Sequence, residues 1–342
     1  MPNTCDITII GGGPTGLFGA FYAGMRGATC RIIDALPALG GQLMALYPEK
    51  FIFDVAGFRQ VLAKDLVKEM AEQALQFDCE VRLDEVVTGL SRVDEAAGIG
   101  HFVLETERTA YSTRTILIAA GVGAFEPRKL PADGVERWEG KGLEYKVLNP
   151  RAFLGKRVLI VGGGDSAFDW VVHLEGIAES IMLIHRRDAF RAHMATVRQV
   201  ERMQRQGKCA VRTFAEITAI HGNERVERVT LLDTRTKAEE TFPMDAVIPQ
   251  LGFHSDLGAI REWGLDTDKA DIKVDRVMRT NVPGIYAAGD IASYEGKLKL
   301  IATGVAEACT AVNNAVHYID PKRKVNPGHS SELKIFATQQ HG

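Results

Sequence analysis

The sequence contains no Cys-x-x-Cys spacing, and its five cysteines, Cys5, Cys30, Cys79, Cys209 and Cys309, are scattered and odd in number. A disulfide framework is therefore not expected, and the thiols read as the reduced cysteines of a cytoplasmic protein. The nine histidines show no metal-ligand spacing with cysteine or carboxylate, so no metal site is expected. Long apolar runs are missing as well. The longest, such as 116–125, is about ten residues, against the roughly 20 that cross a bilayer. The first six residues carry no basic stretch leading into an apolar core, so neither a signal peptide nor a membrane association is expected. A strong charge of one sign is absent too. The formal net charge of −3 gives nucleic-acid binding no electrostatic support.

What the chain has is glycine, 34 of its 342 residues, and much of it is clustered where backbone must approach something closely. Its length suits two domains. Its 46% hydrophobic and 25% charged residues are those of a folded globular protein.

Residues 6–10 form a short apolar run that reads as a buried strand. The run leads into Gly11-Gly12-Gly13-Pro14-Thr15-Gly16. A helix is expected over 17–25 and a second strand over 28–33, closed by Asp34. Gly11, Gly13 and Gly16 satisfy G-x-G-x-x-G. Gly11 permits the tight turn, Gly13 admits a pyrophosphate, and Gly16 lets helix and strand pack closely. The helix N-terminus offers free N–H groups to phosphate, and Asp34 offers oxygens to ribose hydroxyls.

The arrangement recurs. A strand over 157–161 precedes Gly162-Gly163-Gly164-Asp165-Ser166-Ala167, whose Gly162, Gly164 and Ala167 fit the G-x-G-x-x-A variant. A helix over 168–174 and a strand over 180–184 follow. This strand ends in His185-Arg186-Arg187, with Arg191 close behind, and carries no acid. A carboxylate there would repel a ribose 2′-phosphate, whereas arginines bind one through charge-assisted bonds. The second turn therefore favours NADPH over NADH, the alternative being a solvated charge run. One chain seldom needs two nicotinamides, so FAD is expected at the first turn. Ala287-Ala288-Gly289-Asp290 reads as a strand ending in a Gly-Asp turn whose carboxylate suits a ribityl chain, and a helix over 303–318 follows. The first cofactor site thus draws on both ends of the chain. That makes the FAD-binding domain discontinuous, 1–118 with 254–342, and places an NADPH-binding domain, 119–253, inside it. The expected fold class is α/β, with two Rossmann-like, three-layer ββα domains.

Together these segments, with Gly40-Gly41-Gln42, resemble the low-molecular-weight thioredoxin reductase family in order, from the start of the chain to about residue 320. Members of that family carry a Cys-x-x-Cys just before the second glycine motif, and here residues 143–155 contain no cysteine. A dithiol relay needs two thiols close enough to bond. The chain therefore resembles instead the thioredoxin reductase-like ferredoxin–NADP reductases. Residues 42–50, 303–304, 311–315 and 329–333 carry that closer likeness. The resemblance implies that Tyr47 stacks on one face of the isoalloxazine while His329 of the partner subunit covers the other. It also places Thr15, Asp34, Gln42, Val87, Phe125, Asp290 and Ser331 around FAD. It further implies a homodimer that takes hydride from NADPH at flavin N5 and releases single electrons to ferredoxin. An NADPH oxidase, a reductase of flavodoxin, quinone or another small acceptor, and a flavin redox sensor of low turnover remain alternatives. Tyr47 also fits ordinary loop packing, and Cys309 reads as a small core residue. Arg59, Lys64, Lys68 and Arg82 are candidates for docking an acidic ferredoxin.

Overall fold

The computed structural model describes residues 4–46, 48–94, 99–145, 147 and 149–330. The chain divides into two compact units, Met1–Phe125 with Ser255–Gly342, and Glu126–His254.

The first unit is built on a seven-stranded sheet. In spatial order it runs Cys79–Arg82, Cys30–Ile33, Cys5–Ile10, Ala110–Ile118, His101–Thr106 and Val87–Val93. The first four strands are parallel. The inner strands carry apolar residues on both faces, Ile7, Ile9 and Ile32 on the side the helices cover and Ile10, Ile33 and Ile118 on the other, as expected of a parallel sheet covered on both sides. The nine-residue strand Ala110–Ile118 changes partner along its length. Its first half pairs antiparallel with His101–Thr106, and its second half pairs parallel with Ile285–Ala287. That last strand comes from the far end of the chain, which is why the unit is discontinuous. On the helical side, Pro14–Met25 packs against Ile301–Ile319 and Ala63–Leu75. The contact is made of small residues, among them Ala20, Ala23, Ala308 and Ala311, which let helices approach closely.

The second unit has a four-stranded parallel sheet, ordered Ala210–Thr213, Ser180–His185, Arg157–Val161 and Ala246–Pro249. An antiparallel sheet of Ala215–His221, Arg228–Asp233 and Glu239–Pro243 makes a second layer. The alternation of the central strand builds both cores. Leu159 and Val161 face the antiparallel sheet with Ile217, Val229 and Leu231. Val158 and Ile160 face the helices with Phe168, Val171 and Val200. The result is a sheet–sheet–helix stack of three layers.

Some bounds differ from those expected. The first helix starts at Pro14 and the second at Asp165. Proline at the first helical position needs no N–H partner, and the polar first turns hid these starts. The first crossing between units falls after Phe125 rather than after residue 118. The reason is a turn in which Gly123 N–H donates to the Ala120 carbonyl at 2.9 Å, holding 119–123 beside Gly11. A Cβ on Gly11 would lie 2.8 Å from the Ala119 carbonyl carbon. Among the described residues no helix is long and apolar enough to cross a membrane. None of their His, Cys, Asp and Glu side chains form a group of three or more that could hold a metal ion.

Candidate functional site

In the first unit the glycine turn leaves the strand Cys5–Ile10 with Gly11 at φ +106°. The helix Pro14–Met25 starts directly behind it. Gly16 lies hard against the Gly11 carbonyl, where any Cβ would collide. Gly13 is different: a Cβ there would meet only the Gly41 Cα, at 3.8 Å. Its outer side is open, which is what a phosphate approaching the helix N-terminus needs. Asp34 ends the neighbouring strand at 7% exposure. Its Oδ2 accepts the Gly12 N–H at 2.5 Å and its Oδ1 accepts the Leu36 N–H at 2.8 Å. Burial pushes the Asp34 carboxyl up, and the two backbone donors partly offset this. Each oxygen keeps further lone pairs for a hydroxyl.

Three further segments converge on this turn. Gly40 N–H donates to the Gly12 carbonyl at 2.8 Å. Gln42 opens the short helix Gln42–Leu46, and its Nε2 lies 3.3 Å from where a Gly121 Cβ would stand. From the far end of the chain, a Cβ on Gly289 would lie 2.7 Å from Thr15 Oγ1, and one on Gly304 would lie 3.2 Å from the Gly289 Cα. Asp290 follows in a tight turn, Gly289–Ile291, half-buried. Its carboxylate makes no hydrogen bond or ion pair among the described residues. Val87 starts the strand two residues after Glu85, whose N–H donates to the Asp34 carbonyl at 3.0 Å. Phe125 lies in the strand Ala124–Pro127. Gly11, Gly13, Thr15, Gly16, Asp34, Gln42 and Asp290 are thus gathered beyond the C-terminal ends of the parallel strands. His329 is exposed near the end of the described chain. Tyr47 and Ser331 lie outside the described residues.

The second turn repeats the backbone with other neighbours. A Cβ on Gly162 would lie 2.5 Å from the Gln250 carbonyl oxygen and 2.9 Å from the Ala167 Cβ. Gly164 is open, with nothing within 4 Å of such an atom. The His185 imidazole fills the space over Gly163. Burial, with Arg186, Arg187 and Arg191 nearby, lowers its basicity, a hydrogen bond at Ala189 acting the other way. The loop after it is docked at several points. Arg191 N–H donates to the Gly163 carbonyl at 2.7 Å and His193 N–H to Asp165 Oδ1 at 2.7 Å. Phe190 packs on His185 and Phe168 with ring centroids 5.6 and 4.8 Å apart. Arg186, Arg187 and Arg191 are exposed and form no ion pair among the described residues. Asp165 is thereby a tie for this loop, Ser166 sits in the first helical turn, and Ala167 is buried at 1%.

Sequence reasoning missed one group. Glu307, at 4% exposure on the helix Ile301–Ile319, accepts the Gly289 N–H at 2.8 Å and the Tyr294 hydroxyl at 2.6 Å. Lys297 Nζ reaches its Oε2 at 2.6 Å. The available signal was a glutamate inside the apolar stretch 301–312. The candidate docking cations fare worse. Lys64 pairs with Glu49, Lys68 with Glu72 and Arg82 with Glu80, which leaves Arg59 exposed and without such a partner among the described residues. The cysteines are free, although the strand register sets Cys30 opposite Cys79. The Cys30 thiol is pushed well up by donating to Cys79 and by burial. Both lie at the starts of their strands, the opposite end from the glycine turn.

A model of the family described as pyridine nucleotide-disulphide oxidoreductase matches residues 5–314. A ferredoxin–NADP reductase of Halalkalibacterium halodurans is 50% identical over 96% of this chain and 97% of its own. One of Geobacillus thermodenitrificans is 46% identical over 97% and 98%. Among solved structures, thioredoxin reductase of Lactococcus lactis superposes with TM-score 0.76 at 25% identity, over 92% of this chain and 99% of that one. Thioredoxin reductase of T. acidophilum does so with 0.75 at 26%, over 93% and 99%. With a family model spanning nearly its whole length and relatives at about half identity across it, this chain belongs to the pyridine nucleotide-disulphide oxidoreductases and, among them, to the ferredoxin–NADP reductases of thioredoxin reductase-like fold.

Proposed function

We propose that this protein passes electrons between NADPH and ferredoxin, using FAD held at the first glycine turn. The observation that carries this reading is the contrast between the turns: an acid-closed turn in one unit and an arginine-closed turn in the other, with no cysteine over 143–155. The residues present fit both groups. Gly13 and Gly164 leave open the cradle that a side chain would fill, and Asp290 presents for hydroxyls a carboxylate that has no partner among the described residues. Arg186, Arg187 and Arg191, which form no ion pair among the described residues, suit a 2′-phosphate. Bound FAD supplies the conversion between two-electron and one-electron chemistry.

The chain's own contribution is binding and orientation. The N-termini of Pro14–Met25 and Asp165–His173 hold phosphates through free N–H groups. Asp34 serves the adenine ribose, and Gln42, Val87 and Phe125 line the remainder of the flavin site. Arg186, Arg187 and Arg191 select the phosphorylated nicotinamide. Tyr47 and His329 cover the flavin faces, with Ser331 beside them and His329 supplied by the partner subunit of a homodimer. Cysteines that are scattered and odd in number support a cytoplasmic location. The relatives' name points to ferredoxin as the acceptor, with flavodoxin a second carrier of the same kind.

The test is anaerobic mixing of the yellow protein with NADPH or NADH, followed by oxidised ferredoxin. Fast bleaching by NADPH alone, then many turnovers of ferredoxin reduction, is expected. Bleaching without turnover would reassign the acceptor to quinone or oxygen. An unbleached flavin would leave a binding protein.

A further inference from the structure

We infer that Glu307 is the positioning residue of the Gly289–Asp290 turn, with Lys297 as its buried counter-ion; this rests on the reading of that turn as part of the FAD site. Of the ion pairs among the described residues, Lys297–Glu307 is the most enclosed, with side chains 8% and 5% exposed. Taking two charges out of water is costly, and a buried pair often adds less stability than apolar residues would. Its presence calls for a structural use of its oxygens, and the geometry supplies one. Glu307 Oε2 accepts the Gly289 N–H at 2.8 Å. Gly289 has φ +81°, a conformation other residues rarely adopt, and it is the residue before Asp290. The Glu307 carboxylate therefore fixes the plane of the peptide that precedes this turn.

The rest of the cluster holds Glu307 in place. Lys297 spans both of its oxygens, and the Tyr294 hydroxyl donates to Oε1 at 2.6 Å. Burial, reinforced by that bond, pushes the Tyr294 hydroxyl up to about 12, so it remains a donor throughout the ordinary pH range. Tyr294 and Lys297 belong to the segment between the turn and the helix Ile301–Ile319, and Lys297 N–H donates to the Tyr294 carbonyl at 3.2 Å. Gly304 lies one helical turn before Glu307, where any Cβ would run into Thr15 and Gly289. One carboxylate thus links the helix, the segment before it and the turn that presents Asp290. Removing the acceptor frees the Gly289 peptide to rotate and leaves a buried N–H unpaired, and Asp290 loses its fixed direction.

Two charge-balanced double variants separate positioning from electrostatics. K297M/E307Q removes both charges but keeps a carbonyl acceptor for Gly289. K297M/E307L removes the charges and the acceptor. FAD affinity is measured by titrating each apoprotein, with the visible spectrum of the bound flavin and the melting temperature of the apoprotein recorded alongside. K297M/E307Q is expected within about threefold of wild-type Kd. K297M/E307L is expected at least tenfold weaker, about 1.4 kcal/mol, with a shifted flavin spectrum and an apoprotein that melts below K297M/E307Q because the Gly289 N–H is left unpaired. Equal affinities for the two double variants overturn the inference. If K297M/E307L does not fold, E307D replaces it. It keeps the charge but withdraws the oxygens from Gly289, and an affinity equal to wild type then overturns the inference. A wild-type apoprotein that takes up no FAD would remove the flavin reading itself, and the inference with it. Uptake by wild type with unchanged affinity in the variants removes the inference alone.

Discussion

The two glycine turns share a backbone and differ in what closes them. In the first, Asp34 is drawn inward and spends its carboxylate on the N–H groups of Gly12 and Leu36. In the second, the equivalent place is taken by the His185 ring, which packs over Gly163 and against Phe190, and the charged groups are the arginines beyond it. The first arrangement places a negative group inside the turn, and the second displays positive groups outside it. The two turns therefore differ at the strand end and not in the glycines, which they have in common, and on the function proposed above that end is where nucleotide choice is set.

The comparison breaks most visibly at the last position of each motif. Gly16→Ala drives a methyl into the Gly11 carbonyl; we expect it to cost about 3 kcal/mol and to yield protein purified without flavin. Ala167→Gly, its mirror in the second turn, should cost about 1 kcal/mol and leave the flavin content unchanged. Absorbance per polypeptide and the melting temperature read both. Next in size is the arginine pair. Arg186→Ala with Arg187→Ala removes bonds to a charged group worth about 1.5–3 kcal/mol each, so KM for NADPH should rise by about tenfold or more while KM for NADH stays put. Equal losses with both nucleotides would mean that the arginines hold the loop and do not read the phosphate. Asp34→Asn should be smaller. It turns an NH2 group toward one of two backbone donors, a mispairing that costs about 1–3 kcal/mol, seen as weaker FAD binding and a lower melting temperature.

The smallest effect is in pH, and its sign differs between the turns. The Asp34 carboxyl is raised from its ordinary 3.8, so the folded chain takes up the proton first. Its destabilising contribution is full above the raised value and fades as pH falls toward 3.8. His185 is lowered from its ordinary 6.5, so the unfolded chain takes up the proton first, and its contribution is lost as pH falls below 6.5. Melting apoprotein between pH 7.5 and 4, His185→Phe should therefore lose less stability than wild type below pH 6.5, and Asp34→Asn should lack the compensating trend at the acid end. Parallel curves for all three proteins would show that neither group is coupled to folding.

Much of the first site was legible because its parts are local. Strand, glycine turn, helix and closing acid follow one another within 34 residues, and each obeys a rule of backbone geometry. The same holds for Gly162 to Arg191. What was not legible depends on contacts across the chain. Glu307 reads as one polar residue in an apolar helix until Ile285–Ala287 joins the sheet and brings Gly289 to it. Lys64, Lys68 and Arg82 look like available cations until their carboxylate neighbours are placed. Cys30 and Cys79 are far apart in sequence and become neighbours only through strand register.

The sequence by itself determined the two glycine turns, the acid that closes one and the arginines that close the other, and the lack of a dithiol beside the second, because those properties rest on residue type at short spacing. Only the tertiary structure decided where the units part and that 119–123 stays with the first turn. It also decided that the Gly289–Asp290 turn is gripped by a buried carboxylate. Those outcomes follow from which distant segments pair and pack, and no short stretch of chain carries that information.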